Sequence, residues 1–307
     1  MGSPAAGGAR PAREGGADAC GGKQHALERT PKAGKFVHGG DGNPVPYFGR
    51  PAQREPQAAQ ERTEREKIYL GTMIWSRQHR FVFIKTAKTA GTSVEVFLSK
   101  ACVPGDVVTP ILPPEEGHTP RNHAGRWSLG PELKEGTCGR LGNPLAAWRR
   151  TAADWVRGGR YYNHMPARLA RCRMGEAAWD GAYKFCIERN PWDKCLSYYH
   201  MLRHRGEKDL TLDQFIGRGD FPINFPLYTD AKGGVMVDRI LRYEQLDQDL
   251  GEVCTHVGIA WPGTLHAQAK SGYRTDRRSY RDVLSVAQGG RIARAFAQEI
   301  ALLGYEW

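Results

Sequence analysis

Two short apolar runs, 81–84 (Phe-Val-Phe-Ile) and 183–187 (Tyr-Lys-Phe-Cys-Ile), each lead into a basic loop and then into a helix-like segment. Runs of that length and make-up read as buried strands. A repeated order of strand, loop and helix confines the chain to an α/β fold built around a mostly parallel sheet. The first loop offers Lys88, Thr89, Gly91, Thr92 and Ser93 just where a helix begins. Backbone N–H groups at a helix N-terminus attract anions, and glycine lets a backbone come close. The second loop offers Arg189, with Ser197 eight residues on in the following helix. Two such anion sites in one chain suit a ligand with two separated phosphate-type groups.

The segments Lys88-Thr-Ala-Gly-Thr-Ser93 and Arg189-Asn-Pro-Trp-Asp-Lys194, the latter followed by Ser197, carry a resemblance. They are similar to the phosphosulfate loop and the 3′-phosphate motif of sulfotransferases that use 3′-phosphoadenosine 5′-phosphosulfate (PAPS). The carbohydrate-type branch, sulfotransferase family 2-like, is nearest. The resemblance covers roughly residues 69–307. Three positions depart from the pattern: Ala87 stands where the family usually has proline, Lys194 replaces an arginine, and Asn163 replaces a small residue. The resemblance implies a three-layer, P-loop-kinase-like fold and transfer of a sulfuryl group to a hydroxyl acceptor, a carbohydrate or glycosylated molecule. It implies PAPS as cofactor, 3′,5′-adenosine bisphosphate as product, and no metal.

The same resemblance assigns roles. Lys88 stabilises the leaving bridging oxygen, where charge grows as the bond to sulfur breaks. Thr89, Ala90, Gly91, Thr92 and Ser93 cradle the 5′-phosphosulfate, and Arg189 with Ser197 holds the 3′-phosphate. Tyr243, in Arg242-Tyr-Glu-Gln-Leu246, approaches the adenine. His164, in Tyr162-Asn-His-Met-Pro166, is the general base, a role that suits a side chain titrating near neutrality. Glu95 is the second choice for that base. Lys85, three residues before Lys88, reads as a solvated lysine at a strand end. Arg274 and Arg277 follow the segment Lys270-Ser-Gly-Tyr273 and read as solvated charges or 3′-phosphate contacts. His200 and His204 have one-turn spacing but no third metal ligand in sequence.

Composition sets the limits. The chain has 307 residues, 40% hydrophobic and 25% charged, enough for one sizeable core. A net charge of +11 and a pI near 9.4 fit an anionic cofactor. The basic residues are spread out, without zinc-finger spacing or an aromatic RNA-binding motif, so nucleic acid is not the expected partner. Seven cysteines form no Cys-x-x-Cys pair. They read as reduced thiols, with Cys186 and Cys195 buried. No apolar run approaches 18 residues and no secretory leader is visible, so a cytoplasmic enzyme without a membrane span is expected.

Residues 1–66 are rich in Gly, Ala, Pro and Arg and read as a disordered tail before a sulfotransferase domain spanning 67–307. Helices are expected at 93–100, 144–158, 166–179, 193–203, 212–216, 243–257 and 280–303, and a third strand at 237–241. Residues 217–234 read as loop, and 104–142 as an insertion over the site that helps form the acceptor subsite. Two rivals stay open: a P-loop-like nucleotide kinase or NTPase, and a catalytically degenerate nucleotide- or glycan-binding protein. The chain lacks Gly-x-x-x-x-Gly-Lys-Ser/Thr, which weighs against the first.

Overall fold

The computed structural model describes residues 37–38, 44–45, 73–138, 144–265, 276 and 278–307. The chain divides into two units, Met1–Pro56 and Gln57–Trp307. In the first, Val37–His38 pairs antiparallel with Pro44–Val45. The rest of the expected tail lies outside the described residues, as do the segment Lys270–Arg274 and Arg277.

The second unit is built on a five-stranded sheet. In chain order its strands are β1 (Met73–Ser76), β2 (Phe81–Ile84), β3 (Val107–Val108), β4 (Tyr183–Glu188) and β5 (Arg239–Arg242). Their spatial order is β3-β1-β2-β4-β5. The helices are α1 (Gly91–Ala101), α2 (Leu129–Cys138), α3 (Pro144–Arg157), α4 (Ala167–Met174), α5 (Glu176–Asp180) and α6 (Pro191–His204). They continue with α7 (Leu212–Arg218), α8 (Phe225–Tyr228), α9 (Leu246–Val257), α10 (Tyr280–Val283), α11 (Val286–Ala295) and α12 (Ala297–Leu303).

The sheet is buried on both faces, which explains why its strands are continuously apolar rather than alternating. Side chains still sort by parity. Met73, Trp75, Val82, Ile84 and Cys186 join Met165, Ala167 and Ala170 of the α4 region, Trp179 of α5 and Tyr228 of α8 in one core. Ile74, Phe81, Phe83, Phe185 and Ile187 join Val94 and Leu98 of α1 and Leu250, Val253 and Cys254 of α9 in another. A third core gathers α6, α7 and the C-terminal helices around Trp192, Phe215 and Phe296. Cys186 and Cys195 are buried and unbonded, as expected.

The sheet differs from the expected one. Strand β2 runs parallel to β4, and β4 parallel to β5, but β1 pairs antiparallel with both β2 and β3. The sheet is therefore mixed. The cause is local: only four residues, Arg77–Arg80, separate β1 from β2, enough for a hairpin and too few for a crossover. Helix α8 also interrupts the expected loop at 217–234. Proline at 191 occupies the first turn of α6, which starts two residues before the expected 193, and Asn190 caps that helix by accepting from the N–H groups of Trp192 and Asp193.

Candidate active site

Parallel pairing brings the two motifs together. Register pairs Ile84 with Cys186 and Glu188 with Arg242, so β2, β4 and β5 end at one edge. The loops after them carry Lys88, Arg189 and Tyr243. In open α/β sheets that edge is where ligands bind.

The first loop is held from below. The Thr86 hydroxyl donates to the Ile187 carbonyl oxygen of β4 and lies 2.9 Å from the Thr89 hydroxyl. Thr89 is fully buried and its hydroxyl also reaches the Thr86 carbonyl at 3.2 Å, so its side chain serves the loop. Asn224, buried beside α8, clamps Ala87 twice: Oδ1 accepts from the Ala87 N–H at 2.9 Å and Nδ2 donates to its carbonyl at 3.2 Å. Alanine at 87 thus supplies an N–H that the family's usual proline lacks.

Above this clamp the backbone turns tightly. Lys88 and Ala90 adopt φ of 62° and 59°, the left-handed region that non-glycine residues seldom visit. Alternating left-handed residues aim successive N–H groups into one concavity, an anion-binding nest. Helix α1 starts immediately after, with Ala90 as N-cap and no side-chain capping bond. Ser93, where the sequence places the start of this helix, is buried in its first turn, just after the left-handed Ala90. Lys88 itself is half-buried.

Lys85 contradicts its sequence reading. It is 6% exposed, and its Nζ bonds Thr92 Oγ1 and Glu95 Oε2, each at 3.0 Å. His118, from the 104–142 insertion, brings Nε2 to 3.3 Å from the other oxygen of Glu95. A charge taken from water must be paired, and Glu95, fully buried one turn into α1, supplies the partner. A Cβ on Gly91 would lie 2.6 Å from Lys85 Cγ, so glycine at 91 makes room for the lysine stem as well as opening the loop.

The second motif meets the first. Arg189 Nη1 donates to the Lys88 carbonyl oxygen at 3.3 Å. Its Nε and Nη2 bond Asp193 Oδ2, and its guanidinium stands 4.0 Å over the Tyr243 ring. The half-buried Arg189 therefore pairs with Asp193 and braces the first loop at once. Ser197 is half-buried two turns into α6. Lys194, the arginine replacement, turns inward and pairs with buried Glu188 at 2.8 Å. Glu244 accepts from the Asn190 N–H at 2.7 Å and from the Tyr305 hydroxyl at 3.2 Å, tying β5 to the second loop.

His164 closes the edge from the opposite core. Its φ is 51°, and Nδ1 lies 3.0 Å from the Lys85 carbonyl oxygen. A carbonyl only accepts, so Nδ1 carries the proton and Nε2 keeps the lone pair. Burial, followed by the nearby Lys85 charge, lowers the imidazole pKa to about 4, which leaves it neutral at pH 7. Beside it, both amide atoms of Asn163 are buried and take no hydrogen bond from the described residues. Two turns further, Arg173 anchors this segment. It bonds the Gly159 and Arg160 carbonyls at 2.9 and 2.8 Å and Glu132 of α2 at 2.6 Å.

Asn224, Arg173 and His118 are missing from the sequence-based site, and no motif spacing flags them; Glu95, the second choice for the base, is tied up by Lys85 and His118 instead. Among the described residues no group of three His, Cys, Asp or Glu side chains is placed to hold a metal, His200 and His204 included. Among them, too, no helix is long and apolar enough to cross a membrane.

No family model matches the chain. A solved sulfotransferase from Alicyclobacillus acidocaldarius superposes with a TM-score of 0.34 at 20% identity, over 74% of this chain and 96% of its own, a likeness too loose to argue from. An uncharacterised protein of Archaeoglobus fulgidus is 37% identical over 100 residues, 31% of this chain and 83% of that protein. The chain belongs to one family with that Archaeoglobus protein.

Proposed function

We propose that the chain is a PAPS-dependent sulfotransferase of three-layer, P-loop-kinase-like design, acting on a hydroxyl acceptor of carbohydrate type. The observation that carries the reading is the 3.3 Å bond from Arg189 to the Lys88 carbonyl, which joins two anion-seeking loops at one sheet edge. The residues fit the cofactor. The nest around Lys88 and Ala90 and the uncapped start of α1 suit a phosphosulfate. Arg189, with Ser197, suits a second phosphate, and Tyr243 beneath the guanidinium offers a ring face to a base.

The cofactor supplies the sulfuryl group and a phosphate leaving group. His164 Nε2, left with its lone pair, would accept the proton of the acceptor hydroxyl. Lys88 and the α1 N–H groups would hold the phosphosulfate end of the cofactor and stabilise negative charge gained there. Arg189, half neutralised by Asp193, orients rather than reacts. Positioning and electrostatics carry the rate, as in phosphoryl transfer. The test is release of 3′,5′-adenosine bisphosphate from PAPS over a panel of sugar and alcohol acceptors. Acceptor-dependent release supports the reading. ATP–magnesium turnover with no PAPS turnover replaces it with the kinase.

A further inference from the structure

Helix α3 wears an apolar stripe on its outer side. Leu145, Trp148 and Val156 are 69%, 42% and 74% exposed. At 3.6 residues per turn positions 145, 148 and 156 share one face. The inner side is occupied: Thr151 is buried, and Asp154 meets the buried Arg173 at 3.4 Å. Arg149, Arg150 and Arg157 are exposed along one margin of the stripe. Asp154 is the single acid among residues 144–157, and it points inward, so the outer face is apolar and cationic.

Exposed apolar residues are ordinary when scattered. A tryptophan and two aliphatic side chains in one stripe, with arginines along one margin and no acid on the outer side, are the pattern of a helix lying in a lipid interface. At 1.5 Å per residue its 14 residues make about 21 Å, too short for a hydrocarbon core of about 30 Å, so it lies flat rather than spans. A second copy of this face would bring arginine against arginine on a chain of net charge +11, whereas anionic headgroups complement it. We propose that α3 docks this protein on an anionic lipid surface, with Leu145, Trp148 and Val156 at the acyl boundary and Arg149, Arg150 and Arg157 on lipid phosphates.

The experiment is co-sedimentation of the full chain with vesicles of phosphatidylcholine alone and of phosphatidylcholine mixed with phosphatidylglycerol. Binding is expected for the mixed vesicles only. Arg149→Gln/Arg150→Gln should weaken it about 30-fold, each arginine contributing about fivefold. Trp148→Ser/Val156→Ser should weaken it about tenfold or more. Arg205→Gln/Arg294→Gln, an equal charge change on exposed arginines elsewhere, should leave it unchanged. The proposal is overturned if the wild type does not sediment, if the control pair weakens binding as much as the α3 arginines, or if the serine pair binds like the wild type. Lipid binding is read without PAPS, so it stands or falls independently of the transferase reading.

Discussion

Arg189 donates to the backbone carbonyl of Lys88 across 101 positions of sequence. The bond makes the second anion loop a support for the first. It also restrains the left-handed turn at Lys88, a conformation that costs of order 1–3 kcal/mol unless its surroundings hold it. Asn224 and the hydroxyls of Thr86 and Thr89 hold the same turn from the other side.

The Asn224 clamp gives the alanine at 87 a role that proline could not fill. Ala87→Pro removes the N–H that Asn224 Oδ1 accepts and should destabilise the protein by roughly 1–3 kcal/mol, the usual cost of stranding a buried acceptor. Asn224→Ala should cost a similar amount, and the double variant less than the sum, because both changes delete one bond. Urea denaturation checks this; simple additivity would show that Asn224 does not clamp Ala87.

Lys85 and Glu95 form a buried pair at 3.0 Å. Lys85→Met strands the Glu95 carboxylate and should cost roughly 3–5 kcal/mol. Adding Glu95→Leu should recover most of that, since an apolar replacement of a buried pair is often neutral. A single variant as stable as the wild type, or a double variant worse than the single, would contradict the pairing.

His164 sets an acid dependence. Its folded pKa of about 4 lies below the unfolded value of about 6.5. The unfolded chain therefore takes up the proton first as pH falls. Stability present above pH 6.5 declines between about pH 6.5 and about pH 4, then levels off. His164→Gln should flatten that part of the stability curve. In catalysis the acid limb of kcat/KM, which reports the free enzyme, should fall near pH 4. A limb near 6.5, or full turnover in His164→Ala, would move the base elsewhere.

Local features were legible in the sequence and distant ones were not. The runs 88–93 and 189–197 read as anion loops because helix starts, glycine and basic residues follow one another within a few positions, and the structure brings those two runs to one sheet edge. The hairpin at Arg77–Arg80 went unread. Met-Ile-Trp-Ser at 73–76 is only four residues long and next to a stretch of polar composition, so its pairing with β2 is decided by tertiary contact. Lys85 looks solvated because its partner, Glu95, lies ten residues on and His118 still further. Asn224 reaches Ala87 across 137 positions, a distance that no spacing rule spans. The cap of α1 falls at Ala90 for a backbone reason, a left-handed alanine that composition does not signal.

Lys88 is expected to act on the departing oxygen. Lys88→Ala should keep bisphosphate affinity within about tenfold and lose about 100-fold or more in turnover, as for other groups aimed at developing charge. Turnover near the wild-type value would remove Lys88 from the mechanism.

The central claim is that one sheet edge binds a nucleotide with two separated phosphates. The direct measurement is the melting temperature with 3′,5′-adenosine bisphosphate, ADP and ATP–magnesium, for the wild type and Arg189→Ala. At about 100 times the dissociation constant, binding adds about 2.7 kcal/mol, a rise of roughly 5–10 °C for a chain of this size. That rise is expected for the bisphosphate alone and is lost in Arg189→Ala. No rise, or an equal one with ATP–magnesium, contradicts it.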